Sequence, residues 1–407
     1  MQLKLNTRLS TLVLIVLLFF TFSCNKNENI DHNNRDVQVS LDRVADSLFM
    51  VFKNKWGVEK GGIHLYVTGP SGNYQASSNI EPYLSPDTQF RIASISKTFT
   101  AASIMLLYQE DKLNIKDNFI EYLPNIPAYD VPFKNDITIE QLLQHRSGVF
   151  DVTNEYIPEA VNAPYSGTKY ETYIRAQDDK HTFTFDELVG VNAEHQLSKT
   201  LPDEIFSYSN TGYNILGKII EEISGKTYSE FIHENFITPL NLTNTYSVWE
   251  GGDMEMRSQH LKSYLYINGE ENEIETTKDN MSVHVSEGNI VSTPRDITRW
   301  MRLLLTGNAG VNAANVELMK EMKVADSAHG VYGLGLVFDE GLGYGHNGAH
   351  ISYISSLRYN PNNDITVLVS STFIHINEDA DSDSNDLFEL GFAIRDLCYS
   401  VINEYQK

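Results

Sequence analysis

Residues 90–100 read FRIASISKTFT, and the chain runs on through AASIMLLY to Tyr108 without a Gly or Pro. The Ala, Ile, Leu and Met content from Ser94 to Tyr108 predicts a mostly buried helix. Ser94 and Lys97 stand three residues apart, a spacing that puts both on one helix face. A Ser hydroxyl is a poor nucleophile until a base takes its proton, and a Lys whose pKa is lowered by desolvation can be that base. A helix that starts at the Ser also turns its N-terminal N–H groups toward a developing oxyanion. The same S-x-x-K spacing recurs at Ser23–Lys26 and Ser166–Lys169, but only Ser94 opens an apolar helix.

Two further clusters follow. Tyr208-Ser209-Asn210 precedes a predicted helix over Gly212–Ile223, with Gly225 placed to end it. A Tyr of depressed pKa can move a proton and an Asn amide can hold a substrate carbonyl; the plainer alternative is that Asn210 caps the helix and Tyr208 packs. His346-Asn347-Gly348 lies between Gly345 and Ala349 and is the chain's one H-x-G. A small residue lets substrate lie against backbone and a His can bind an anion, or the segment is a Gly-rich turn with a solvated His.

The composition narrows the field. The 407 residues carry 54 Asp+Glu against 31 Lys+Arg, a formal net charge of −23, which argues against a nucleic-acid partner. Cys24 and Cys398 are the only cysteines, too few for a disulfide framework or a Cys-rich zinc site. No H-E-x-x-H pattern occurs, and no metal or other cofactor is expected. Helical spacing is predicted over Val37–Trp56, on Val39, Leu41, Val44, Leu48 and Val51. Further helices are expected at Ile139–His145 and Tyr228–Asn235, and a strand at Ile63–Val67 turning at Gly69-Pro70-Ser71-Gly72. Ile351–Tyr359 and Ile365–Thr372 flank Asn360-Pro361-Asn362-Asn363-Asp364 as a hairpin. A last helix carries Leu387, Leu390, Ile394, Leu397 and Val401 on one stripe, with Cys398 as a small buried hydrophobe.

Lys4 and Arg8 precede a continuous apolar run, Leu12 to Phe20, that is short for a membrane span. Ending at Thr21-Phe22-Ser23-Cys24, it resembles a bacterial lipoprotein signal, with Thr21 where Leu is usual. That resemblance implies removal of residues 1–23, a lipid on Cys24 and a membrane-anchored protein of the cell envelope. Without the lipid the protein would be periplasmic or secreted. Residues 24–36 read as a flexible tether and 37–407 as the folded domain.

Ser94, Tyr208 and His346 come in an order that resembles the S-x-x-K, Y-x-N and [KH]-x-G motifs of the serine β-lactamase and penicillin-binding-protein superfamily, in its class C β-lactamase and D-alanyl-D-alanine carboxypeptidase branch. ITIEQLLQHRSG (137–148), FSYSNTGYNILGKIIEEISG (206–225), NIVSTPRDITRW (289–300) and YGLGL (332–336) are similar to further landmarks of that family. The resemblance implies an α/β (α+β) fold of β-lactamase/transpeptidase type. In it an antiparallel sheet is flanked by helices, with a mostly helical subdomain inserted over about residues 94–280. It implies Ser94 as acylated nucleophile, Lys97 as its proton partner and Tyr208 as base or shuttle. Asn210 would contact the substrate amide, His346 would lie near a substrate carboxylate, and the N–H groups of Ser94 and Ala349 would form the oxyanion hole beside Gly348.

His at 346 and Asn at 347, where Lys and Thr are usual among β-lactamases, tilt the reading away from that activity. A D-alanyl-D-alanine carboxypeptidase-like or D-amino-acid peptidase leads, with peptidoglycan stem peptide as one such substrate. A carboxylesterase-like or amide hydrolase is the alternative, a β-lactamase comes after it, and a non-catalytic peptidoglycan or penicillin binder is the non-enzyme reading. Arg146 and Glu287, beside family landmarks, read as exposed charges.

Overall fold

The computed structural model describes residues 32–80, 84–268, 272–376 and 383–407; the apolar N-terminal run, Cys24 and the first part of the expected tether lie outside them. Helix α1 (His32–Trp56) starts ahead of the expected Val37, because His32 to Asp36 contain no Gly or Pro to stop propagation. Its buried stripe is Leu41, Ala45, Leu48, Phe49 and Phe52, whereas Val39 and Val51, expected in the core, are exposed. A 3.6-residue period aligns 41, 45, 48 and 52 and turns 39 and 51 away.

β1 (Ile63–Gly69) and β2 (Gly72–Ser78) form the expected hairpin, with Gly72 at φ +116° after Pro70-Ser71. The chain then leaves this sheet through β3 (Phe90–Arg91), α2 (Lys97–Gln109), α3 (Ile139–Leu143), α4 (Tyr170–Arg175), α5 (Phe185–His195), α6 (Asn210–Ser224) and α7 (Tyr228–Ile232). It continues through β4 (Tyr246–Ser247), β5 (Tyr264–Ile267), β6 (Ile274–Glu275), β7 (Ile290–Ser292), α8 (Pro294–Leu305) and α9 (Ala313–Met319). It returns with β8 (Lys323–Val324), β9 (Val331–Tyr332), β10 (Val337–Asp339), β11 (Gly343–His350), β12 (Tyr353–Asn360) and β13 (Ile365–Ser371), then β14 (Phe373–Ile376) and α10 (Asp383–Tyr405).

The main sheet has the order β2-β1-β13-β12-β11-β10-β9-β8, antiparallel throughout. Two small sheets, β3-β7-β4 and β14-β5-β6, sit in or against the inserted segment, which is therefore not purely helical. The architecture is the β-lactamase/transpeptidase-like fold expected from the sequence.

Strand alternation gives the main sheet two different faces. Leu357 and Leu368, register partners on β12 and β13, join the core built around Phe99 and Trp300. Those two rings stack at 3.9 Å, and the Trp300 indole donates to Thr98 Oγ1, fixing α8 to the start of α2. Arg358, one residue on from Leu357, faces the other way toward Cys398 on α10. Cys398 is fully buried, as expected, and burial pushes its thiol up to about 12. No helix among the described residues is long and apolar enough to cross a membrane.

Candidate active site

Ser94 is not in the first turn of an α-helix. It sits in a 3-10 turn, Ala93–Ser96, and α2 begins at Lys97. The chain leaves β3 at Arg91 and must reverse at once, which it does with Ala93 at φ +50°, a left-handed conformation costly for a residue with a Cβ. Ser94 stays partly accessible while Ala93, Ile95, Ser96 and Lys97 are buried.

The expected Ser–Lys pair is present: Lys97 Nζ donates to Ser94 Oγ at 3.2 Å. The same nitrogen reaches Asn210 Oδ1 at 2.6 Å, the Glu287 carbonyl at 2.9 Å and Glu287 Oε2 at 3.2 Å. Glu287 is 2% exposed, so its reading as a surface charge is corrected. It lies on the loop before β7, where Ser286 at φ +69° turns the chain inward. Burial lowers the Lys97 pKa, opposed by the charges of Glu287 and Asp151. Burial alone would raise Glu287, but Lys97 and His284 hold it below the usual carboxylate range. A lysine balanced in this way can receive the Ser94 proton.

The Tyr208 ring lies 4.9 Å from Lys97 Nζ, and the Ser94 side chain lowers its pKa against the effect of burial. Burial pushes this phenol well above its ordinary value. A phenolate of depressed pKa, one role considered for Tyr208, is therefore not what the resting site holds; a neutral phenol that relays a proton fits. His145, which the sequence reading passed over, stacks on Tyr208 at 4.0 Å and accepts from the Ser209 N–H through Nδ1 at 3.1 Å. Burial first, then the charge of Lys97, lowers its pKa far below the ordinary range, so it is a neutral platform.

Ser209, not Asn210, caps α6, accepting from the Gly212 N–H. Asn210 is the first helical residue and is 4% exposed. Its Oδ1 is taken by Lys97 and its Nδ2 donates to Thr153 Oγ1 at 3.0 Å, while Asp151 Oδ2 accepts from its backbone N–H. Here it positions Lys97; contact with a substrate amide, the role implied by resemblance, would require release of Thr153.

The third motif lies on β11, a strand despite its glycines. Pairing with β12 covers Tyr344–His350 on one edge, whereas β10 covers only Gly343–Gly345 on the other. Among the described residues no strand pairs with that second edge from His346 to His350, which runs past the Ser94 turn. Gly348 makes this approach feasible: a Cβ there would lie 2.4 Å from the Ile92 carbonyl oxygen. Ala349 is exposed beside it.

His346 is buried, with Nε2 at 2.7 Å from the Tyr332 hydroxyl and Nδ1 at 2.5 Å from the Asn347 carbonyl. Burial, then the Lys97 charge, lowers its pKa well below the ordinary value, so no imidazolium is presented to a substrate carboxylate. Asn347 points to the opposite face, where its Oδ1 accepts from Arg358 Nη2 at 2.9 Å. Arg146 is tied to Asp203, Nε to Oδ1 at 2.6 Å, and serves to clasp the loop leading to Tyr208.

The arrangement can carry out acyl transfer: an accessible Ser hydroxyl, a buried amine and a phenol to move its proton, and an open strand edge to align a chain beside it. A family model described as Beta-lactamase matches residues 57–391. Penicillin-binding protein 4 of Amycolatopsis lactamdurans is 26% identical over 290 residues, covering 68% of this chain and 70% of that protein. Protein flp of Staphylococcus aureus is 33% identical over 162 residues, 40% of this chain, a stretch that spans only 28% of that protein's length. Among solved structures, D-amino acid amidase from Ochrobactrum anthropi SV3 superposes with a TM-score of 0.71 at 21% identity, over 91% of this chain and 100% of its own. A D-stereospecific amidohydrolase from Streptomyces sp. gives 0.69 at 20% identity, over 87% and 98%. With the Ser–Lys–Tyr geometry in place and the match running over most of its length, the chain belongs to the Beta-lactamase family.

Proposed function

We propose that this protein is a serine hydrolase of the cell envelope that cleaves amide bonds of D-amino-acid peptides or amides through an acyl-enzyme on Ser94. The observation that carries the reading is Lys97 Nζ, buried and 3.2 Å from Ser94 Oγ. Ser94 Oγ attacks the carbonyl carbon as its proton passes to Lys97, with Tyr208 in the relay. The resulting oxyanion takes hydrogen bonds from the N–H groups of Ser94 and Ala349. Collapse expels the amine, which leaves with a proton returned through Tyr208, and water then hydrolyses the ester. Location at the envelope rests on the N-terminal signal pattern and Cys24.

Relatives described as penicillin-binding protein 4 and D-amino acid amidase support the substrate class. Within that class, substrates lacking a free C-terminal carboxylate are favoured over D-alanyl-D-alanine peptides. The specific reason is that His346 is neutral and bonded to Tyr332, and Asn347 is held by Arg358, so the third motif offers a carboxylate no cation.

The test is a turnover panel of D-phenylalanine amide, L-phenylalanine amide, a D-alanyl-D-alanine peptide, a p-nitrophenyl ester and nitrocefin, with fluorophosphonate labelling mapped by mass. The D-amide should lead, and Ser94→Ala should lose both turnover and label. Equal labelling of Ser94→Ala would refute the nucleophile; preference for the dipeptide would refute the substrate ranking.

A further inference from the structure

Glu287 does not end at Lys97. Its second oxygen, Oε1, lies 2.6 Å from His284 Nδ1, so one ring nitrogen of His284 is held by this carboxylate. His284 closes a 3-10 turn, Met281–His284, and its ring meets that of His350 edge to face, centroids 4.6 Å apart. His350 ends β11, on the same face as His346 and Gly348 by two-residue alternation. Its Nε2 lies 2.7 Å from Asp279 Oδ2. The other oxygen, Asp279 Oδ1, is bonded by Arg175 and by the Asn280 N–H, which fixes the carboxylate plane and leaves Oδ2 facing the two imidazoles.

We propose that Asp279, His284 and His350 form a binding site for a divalent transition-metal ion of the zinc class, linked to Lys97 through Glu287. One donor atom from each of the three lies within 4.8 Å of the others. A tetrahedral ion with bonds of about 2.0–2.1 Å sets its donors about 3.3 Å apart. The Asp279–His350 contact therefore has to open by roughly half an ångström to admit one. Two imidazoles and one carboxylate suit zinc, copper, nickel or iron, and do not suit calcium or magnesium, which take oxygen shells. The His284–Glu287 contact supplies the outer-shell partner that metal-bound histidines usually have, a carboxylate on the second ring nitrogen. Asp279 and His350 side chains are 5% and 8% exposed, while His284 at 13% leaves a route for an ion and for a water as fourth ligand. The site does not depend on Ser94 or on the reaction proposed for it.

The purified full chain, stripped with a chelator and dialysed, is titrated with Zn2+ by calorimetry and with Co2+ by visible absorption. One equivalent should bind, with the tetrahedral Co2+ spectrum. His350→Ala and His284→Ala should weaken binding by about a hundredfold, and Glu287→Gln by about tenfold. His350→Gln, which keeps a polar group in place, is carried in parallel with circular-dichroism melts so that loss of binding is read only on folded protein. No binding to the folded wild type at micromolar Zn2+ would overturn the proposal and leave the cluster as a self-satisfied ion-pair network. Binding unchanged in His350→Ala or His350→Gln would overturn it as well, since the ion would then lie elsewhere.

Discussion

Glu287 Oε2 lies 3.2 Å from Lys97 Nζ with both side chains buried, an acid placed directly on the amine that bonds Ser94 Oγ. Its charge and hydrogen bond raise the Lys97 pKa against the lowering by burial. Replacing it by Gln removes that support, so the Lys97 pKa falls and the neutral amine persists to lower pH. Glu287→Gln should move the acidic limb of kcat/KM to lower pH and reduce kcat roughly tenfold to a hundredfold, as Lys97 becomes a weaker base. The pH–rate profile decides: an unmoved acidic limb would mean that Glu287 does not act on the lysine.

Tyr208 is held between His145 at 4.0 Å and Lys97 Nζ at 4.9 Å from its ring. Tyr208→Phe keeps the stack and loses only the hydroxyl, so folding should be unaffected. A proton relay through that hydroxyl makes kcat fall about a hundredfold with KM little changed. His145→Phe should keep the stacking partner but free the Ser209 N–H, with a smaller loss in kcat. If both variants keep wild-type kcat, the relay runs through Lys97 alone.

The candidate site was legible because acyl transfer calls for particular side chains at particular spacings, which singled out Ser94 with Lys97, Tyr208 and the H-x-G at 346. Their supports were not. Glu287 reaches Lys97 from 190 positions away, and no local pattern distinguishes a buried Glu from a solvated one. His145 shows its role only where the chain brings it onto Tyr208. β11 reads as a turn because GYGHNGAH is poor in strand formers; pairing with β12 overrides that weak preference. Of the predicted α1 stripe, Leu41 and Leu48 lie on the buried line, whereas Val39 and Val51 share helical spacing without lying on it. Hairpins fared better, because Gly69 to Gly72 and Pro361 to Asp364 carry their own backbone chemistry.

Gly348 is where β11 meets the nucleophile turn. An added Cβ would lie 2.4 Å from the Ile92 carbonyl oxygen and 2.6 Å from Ser355 Oγ. Ser355 can rotate, but the backbone at Ile92 cannot yield without moving Ser94. A misplacement of about 1 Å in a reacting group costs on the order of a hundredfold in rate. Gly348→Ala should therefore slow acylation by about that factor and lower Tm, whereas Gly252→Ala, with open space around its Cβ, should change neither. Stopped-flow acylation of the two variants provides the comparison; wild-type rates in Gly348→Ala would show that the edge is not held as close as 2.4 Å in solution.

His64 sits in β1, fully buried, and neither ring nitrogen has a hydrogen-bond partner among the described residues. Burial lowers its pKa from 6.5 to about 3. Below pH 6.5 the unfolded chain takes up a proton at this residue that the folded one refuses until about pH 3. Its contribution therefore favours folding least in acid, and stability falls as the pH drops through that window. Between pH of about 7.5 and about 5 the loss amounts to about 2 kcal/mol. His64→Leu removes both this dependence and an unpaired buried polar group, so it should raise stability at neutral pH by about 1–3 kcal/mol. It should also flatten the urea-unfolding free energy between the two pH values by about 2 kcal/mol relative to wild type. Parallel slopes for the two proteins would mean that His64 is protonated in the fold, and that the sheet provides it a partner there.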